Sequence, residues 1–161
     1  MILSAFTFLH VVISLVGIGS GFVVVYGLLA SKRLDGWTAT FLWTAVATSV
    51  TGFMFPVHRF MPSHALGILS LIALTLAILA RYRHNLAGGW RATYVITAVI
   101  SLYFNVFVLI VQLFEKVPAL KALAPTQSEP PFQIAQLCAL LLFTAIAIRA
   151  TMKFHSEPIA Q

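Results

Sequence analysis

The sequence predicts an all-α, polytopic membrane bundle of five crossing helices, and three observations lead there. Hydrophobic residues make up 60% of the chain and charged ones only 9%, with a mean hydropathy of +0.98, outside the range of soluble domains. Apolar runs near the roughly 20 residues that span about 30 Å of hydrocarbon recur along the chain. Charges and prolines gather in the connections between those runs.

The first run, residues 5–30, is too long for a signal-peptide core, lacks a basic region before it and has no small-residue cleavage site after it. It is expected to stay in the mature protein and to end at the polar turn Ser31-Lys32-Arg33-Leu34-Asp35-Gly36. Trp37 then places an indole at interface depth before the second run, 38–56, which Pro56 closes. Pro62-Ser63 opens the third run, 63–80, with a serine able to cap free amides. Gly88-Gly89-Trp90-Arg91 repeats the turn and anchor before the fourth, 93–114. The fifth, 132–148, is entered through Pro130-Pro131, where a missing amide in the first helical turn costs nothing. The third and fifth runs are short, so the count falls to four if one of them is re-entrant. Short connections favour antiparallel neighbours, giving one transmembrane domain over residues 1–161.

Basic residues near helix ends are retained on the cytoplasmic side. One side carries Lys32, Arg33, Arg81, Arg83, Arg91, Arg149 and Lys153, and the other Arg59, Lys116 and Lys121, seven against three. The amino terminus is therefore expected outside and the carboxyl terminus inside. The basic balance has this topological explanation, and no nucleic acid is expected as a partner. One cysteine, Cys138, supports neither a disulfide nor a cysteine metal site within one chain.

Polar residues inside the runs mark the packing faces. His10, Ser14, Gly17 and Gly21 share a stripe on the first helix, and the Gly17/Gly21 pair admits close approach of another helix, in this chain, in a second copy or in another membrane subunit. On the second helix Thr40, Thr44, Thr48 and Thr51 form a similar stripe whose hydroxyls can bond back to their own helix. The fourth helix carries Thr97, Ser101, Asn105 and Gln112 and ends near Glu115. An amide in mid-span must find partners, so Asn105 is expected to face the bundle, either as interhelical glue or as the lining, with Gln112 and Glu115, of a polar path opening outward. No carboxylate or lysine lies deep in a run, which speaks against an ion pump or proton-coupled transporter.

His10, about 13 Å along its helix, and His58 and His64, flanking the second outer connection, fall toward the same side. Two such imidazoles on facing helices can ligate haem b, and three can hold copper or zinc. The simpler role of a lone membrane histidine is a hydrogen-bonded packing residue. His84 and His155 sit among the cytoplasmic charges and are expected to be solvated. Walker, dinucleotide, nucleophile-elbow and zinc-protease motifs are missing, and Thr126 and Ser128 lack an adjacent base, so catalysis is unsupported.

Residues 115–131 hold two of the four acids and four of the seven prolines. Leu120 and Leu123 suit a short amphipathic turn in the interface, with Lys116 and Lys121 reaching the headgroups. The loop is expected as a rigid outer lid or connector. The run Asn105-Val106-Phe107-Val108-Leu109-Ile110-Val111-Gln112-Leu113-Phe114, continued by Lys116-Val117-Pro118-Ala119-Leu120 and Ala124-Pro125-Thr126-Gln127-Ser128-Glu129-Pro130-Pro131-Phe132, resembles small uncharacterised bacterial multi-pass membrane proteins. Thr51-Gly52-Phe53-Met54-Phe55-Pro56 and Gly88-Gly89-Trp90-Arg91 extend the resemblance over most of the chain. It implies a bacterial inner-membrane location and carries over no activity, ligand or site residue. The leading expectation is a non-catalytic accessory, structural or binding component, with a haem or metal redox protein and a small-solute transporter or channel as alternatives.

Overall fold

The computed structural model describes residues 1–56, 59–60 and 62–155, and among them there are helices and turns but no strands. Helix α1 is Ile2–Leu29, α2 Asp35–Phe53, α3 Pro62–Ile78, α4 Trp90–Lys116, α5 Pro118–Leu123 and α6 Pro130–Lys153. A π-helical turn, Leu79–Arg83, prolongs α3. Four helices are long and apolar enough to cross a membrane: Ile2–Leu29, Pro62–Arg83, Trp90–Lys116 and Pro130–Lys153. That is the composition of a multi-pass membrane protein. The 19-residue α2 has the length, but Asp35, five threonines and Ser49 dilute its hydropathy.

Several boundaries differ from the sequence expectation, each for a local reason. The second helix stops at Phe53, three residues before Pro56, because proline disfavours helical geometry in the residue preceding it; the Met54 amide closes the end on Thr51 O at 3.1 Å. It begins at Asp35, whose carboxylate sits favourably in the first turn. The last helix runs to Lys153 instead of Ile148, since Arg149 and Lys153 can lay their stems along the helix and carry their charges to the interface. Both prolines, 130 and 131, lie in its first turn.

The long helices form a ring, α1 to α2, α3, α4, α6 and back to α1, with α4 also touching α1. Burial within this ring is one-sided. Val24, Leu28, Phe41, Leu42, Ala45, Leu74, Ala77, Tyr94, Val95, Ala98, Leu102, Phe143 and Ala150 form one core, and all but Ala45, at the middle of α2, lie in the helix halves nearer the Arg-rich end. In the opposite halves no residue of α1 before Gly17, of α3 before Ser70 or of α6 before Phe143 is buried, and α2 and α4 bury there only Ser49 and Phe114. The bundle is thus closed at the basic end and loosely packed at the other. Gly17 and Gly21 help to close it: a Cβ on Gly17 would lie 3.1 Å from Thr44 Oγ1, and one on Gly21 would lie 2.5 Å from Leu102 Cδ1. The surface that the sequence offered to another helix is therefore occupied by α2 and α4 of the same chain.

Candidate functional site

At the loosely packed end, α1 and α2 are tied by His10, whose Nδ1 lies 2.7 Å from Thr51 Oγ1. Thr51 Oγ1 is also 2.7 Å from its own-helix carbonyl of Ala47, to which it donates. A hydroxyl has one proton, so His10 donates from Nδ1–H and leaves the lone pair on Nε2. The ring packs edge-on against Phe55, centroids 5.1 Å apart, and Gly52 leaves room beside Cε1. His64 lies on the other flank of α2, between the rings of Phe53 at 5.7 Å and Phe60 at 5.4 Å. His58 lies outside the described residues. Among those described, no group of three or more His, Cys, Asp or Glu is placed to hold a metal.

The polar stripe of α4 divides. Thr97 and Ser101 donate to carbonyls of their own helix at 2.7 and 2.8 Å. Asn105 is half-buried, and its Nδ2 is enclosed without a hydrogen-bond partner. Gln112 and Glu115 are exposed. On α6, Gln136 donates from Nε2 to Phe107 O at 3.2 Å, and its Oε1 is enclosed without a partner. On α2, Thr40 and Thr44 bond back to their helix as the stripe predicts, whereas the Thr48 hydroxyl is buried without a partner. Ser14 bonds back to His10 O at 2.7 Å.

The loop after α4 is held to the bundle. Gln127, with a positive φ of 58°, donates from Nε2 to Val111 O at 3.0 Å. Phe114 meets Phe132 edge-on at 5.4 Å, and Ala124 is fully buried. Glu129 precedes α6 and accepts from the Thr126 hydroxyl at 2.8 Å and from the amides of Thr126 and Ser128. Desolvation is the largest single influence and raises its carboxyl pKa, but those bonds together outweigh it and hold the group below its usual value.

The basic end holds a cluster that sequence reasoning missed. Arg81, counted there as a topological charge, is 1% exposed. Its Nη2 donates to Asp35 Oδ1 and, at 3.5 Å, to Arg33 O. Its guanidinium lies 5.3 Å from the centre of the Tyr94 ring and 5.8 Å from that of Tyr82. Nη1 of Arg81 and Nη1 of Arg33 are buried without hydrogen-bond partners. The available signal was spacing: Arg81 lies seven residues after Leu74 and four after Ala77, on the buried stripe of that helix. His84, expected to be solvated, stacks flat on Trp90 at 3.9 Å. His155 is exposed, and its amide donates to Ser31 Oγ at 2.9 Å, which ties the end of α6 to the α1–α2 turn. The cross-helix contact Ser49 to Ser70, 3.3 Å, was also missed, since neither residue belongs to a polar stripe.

No family model matches the chain, and neither the curated proteins nor the solved structures give a match.

Proposed function

We propose that this chain is a non-catalytic component of a bacterial inner membrane, an accessory, structural or binding subunit. In this reading five helices, α1, α2, α3, α4 and α6, cross the bilayer, with the amino terminus outside and the carboxyl terminus in the cytoplasm. The observation that carries it is the one-sided packing. The bundle buries its core at the basic end, while the outer halves of α1 and α6 present Leu9, Val12, Ile134, Leu137 and Leu141 unburied. Such surfaces suit lipid or another membrane subunit. Most in-span hydroxyls are hydrogen-bonded to their own helix or to a neighbour, which is packing chemistry.

A second reading is favoured by Asn105. Its enclosed, unpartnered amide donor, on the helix that ends at Gln112 and Glu115, suits a path for a small polar solute opening outward. Asn105→Leu separates the two: lost solute flux with unchanged or raised stability supports the path, and lost stability alone supports the packing role.

Purification under native conditions, with identification of retained subunits and an absorption spectrum, tests the main reading. A defined membrane partner in a colourless preparation is the expected result. A Soret band, or copper or zinc lost on replacing His10 or His64, would establish the redox alternative instead. Reporter fusions after residues 33, 86 and 121 test the topology, with 33 and 86 expected inside and 121 outside.

A further inference from the structure

At the basic end a cleft of about 310 Å³ opens between α1 and α6, lined by Leu29, Leu142, Ala145, Ile146, Arg149 and Lys153. Its α6 residues recur at three- and four-residue intervals and so form one stripe. The apolar part lies inward, and the two cations follow toward the helix end. Leu142 lies roughly 10 Å below Arg149 along the axis, within one leaflet of a hydrocarbon layer about 30 Å thick. The only ion pairs among the described residues involve Asp35, so neither Arg149 nor Lys153 is neutralised there. The bond from the His155 amide to Ser31 keeps the two walls together at the mouth.

We infer that this cleft binds an anionic glycerophospholipid, with its phosphate between Arg149 and Lys153 and an acyl chain along Leu29, Leu142 and Ile146. Apolar walls below paired cations at interface depth match the order of groups in such a lipid, and basic pockets between membrane helices on the cytoplasmic side recur as headgroup sites. A zwitterionic lipid brings its own ammonium against the two cations and is disfavoured. The inference rests on the membrane-embedded reading above.

The test uses the full chain in phosphatidylcholine vesicles containing a minority of phosphatidylglycerol, followed by gentle extraction and native mass spectrometry of retained lipid. Each basic residue near an anionic group contributes a factor of about five in affinity. The wild type is expected to retain phosphatidylglycerol in excess of its share. R149Q/K153Q should lose that preference about 25-fold, while K116Q/K121Q, altered at the other end, should keep it. Ala145→Trp fills the cleft with both cations present and should also release the lipid. Retention in proportion to vesicle composition, or a preference unchanged in R149Q/K153Q or in Ala145→Trp, would overturn the site. Flotation with the vesicles separates the readings: a wild-type chain that does not float defeats both, and one that floats without lipid preference defeats this one alone.

Discussion

His10 in α1 donates from Nδ1 to Thr51 Oγ1 in α2 across 2.7 Å, and this is a side-chain hydrogen bond between helices in the loosely packed half of the bundle. Hydrogen bonds between membrane helices are worth less than their isolation suggests, because the separated helices find other partners. In a double-mutant cycle with His10→Ala and Thr51→Ala, the coupling is expected at about 0.6 kcal/mol and no more than about 1.7 kcal/mol. Unfolding in mild detergent measures it, and a coupling indistinguishable from zero would show that the contact does not hold the helices.

The Arg81–Asp35 pair is asymmetric, with Arg81 1% and Asp35 66% exposed at the side chain. Removing the carboxylate leaves a buried guanidinium uncompensated, and losses of about 3–5 kcal/mol follow when one partner of a buried pair is deleted. Asp35→Ala is therefore expected to destabilise strongly, toward the lower end because the carboxylate is partly solvated. Arg81→Met removes the buried charge and keeps apolar volume, so it should cost clearly less. Equal losses in thermal unfolding would contradict this account.

Gly21 and Gly19 make a matched comparison on one helix. A Cβ on Gly21 would lie 2.5 Å from Leu102 Cδ1 and 3.1 Å from Phe41, whereas one on Gly19 meets nothing within 4 Å. Gly21→Ala is expected to lose about 1–3 kcal/mol through overpacking. Gly19→Ala should be neutral or slightly stabilising, since alanine is the better helix former. The order of the two melting temperatures decides the point.

Glu129 provides a pH dependence outside the spans. Its folded pKa lies below the ordinary 4.5, so its bonds to Thr126 and Ser128 stabilise the loop above that value. The contribution is lost as pH falls below 4.5 through the folded pKa, when the carboxyl takes up a proton. In Glu129→Gln this part of the acid sensitivity should vanish. Hydrogen exchange of the Thr126 and Ser128 amides between pH 6 and 3 would reveal it, these pH values being about those that bracket carboxylate titration.

Much of the fold was legible along the chain, because membrane helices announce themselves by apolar length and by what interrupts them. Pro130-Pro131, Gly88-Gly89 and the Ser31–Gly36 turn sit at or beside helix boundaries. The second run reads as a crossing helix like the others, and it is a helix, but its threonines, which satisfy themselves on their own carbonyls, lower its hydropathy below that of the four helices apolar enough to span. The stripe with Gly17 and Gly21 was readable as a close-approach surface, but which helix comes close is a long-range choice that periodicity does not encode. Asn105 was readable as an inward polar group; its lack of a partner was not.

The sequence by itself determined the all-helical class, the separation of basic and apolar segments, and the placement of the prolines at helix entries, since backbone hydrogen bonding and hydrophobic length act locally. The tertiary structure alone decided that burial concentrates at the basic end, that Arg81 turns inward to Asp35 and the tyrosines, and that α1 and α6 leave a cleft beside Arg149 and Lys153. Those features depend on helix rotation and on contacts between residues far apart in the chain. Arg81 follows Leu74 and Ala77 on the inward stripe of its helix, and only the packing of the neighbouring helices over that stripe decides that its charge is enclosed beside Asp35 and Tyr94.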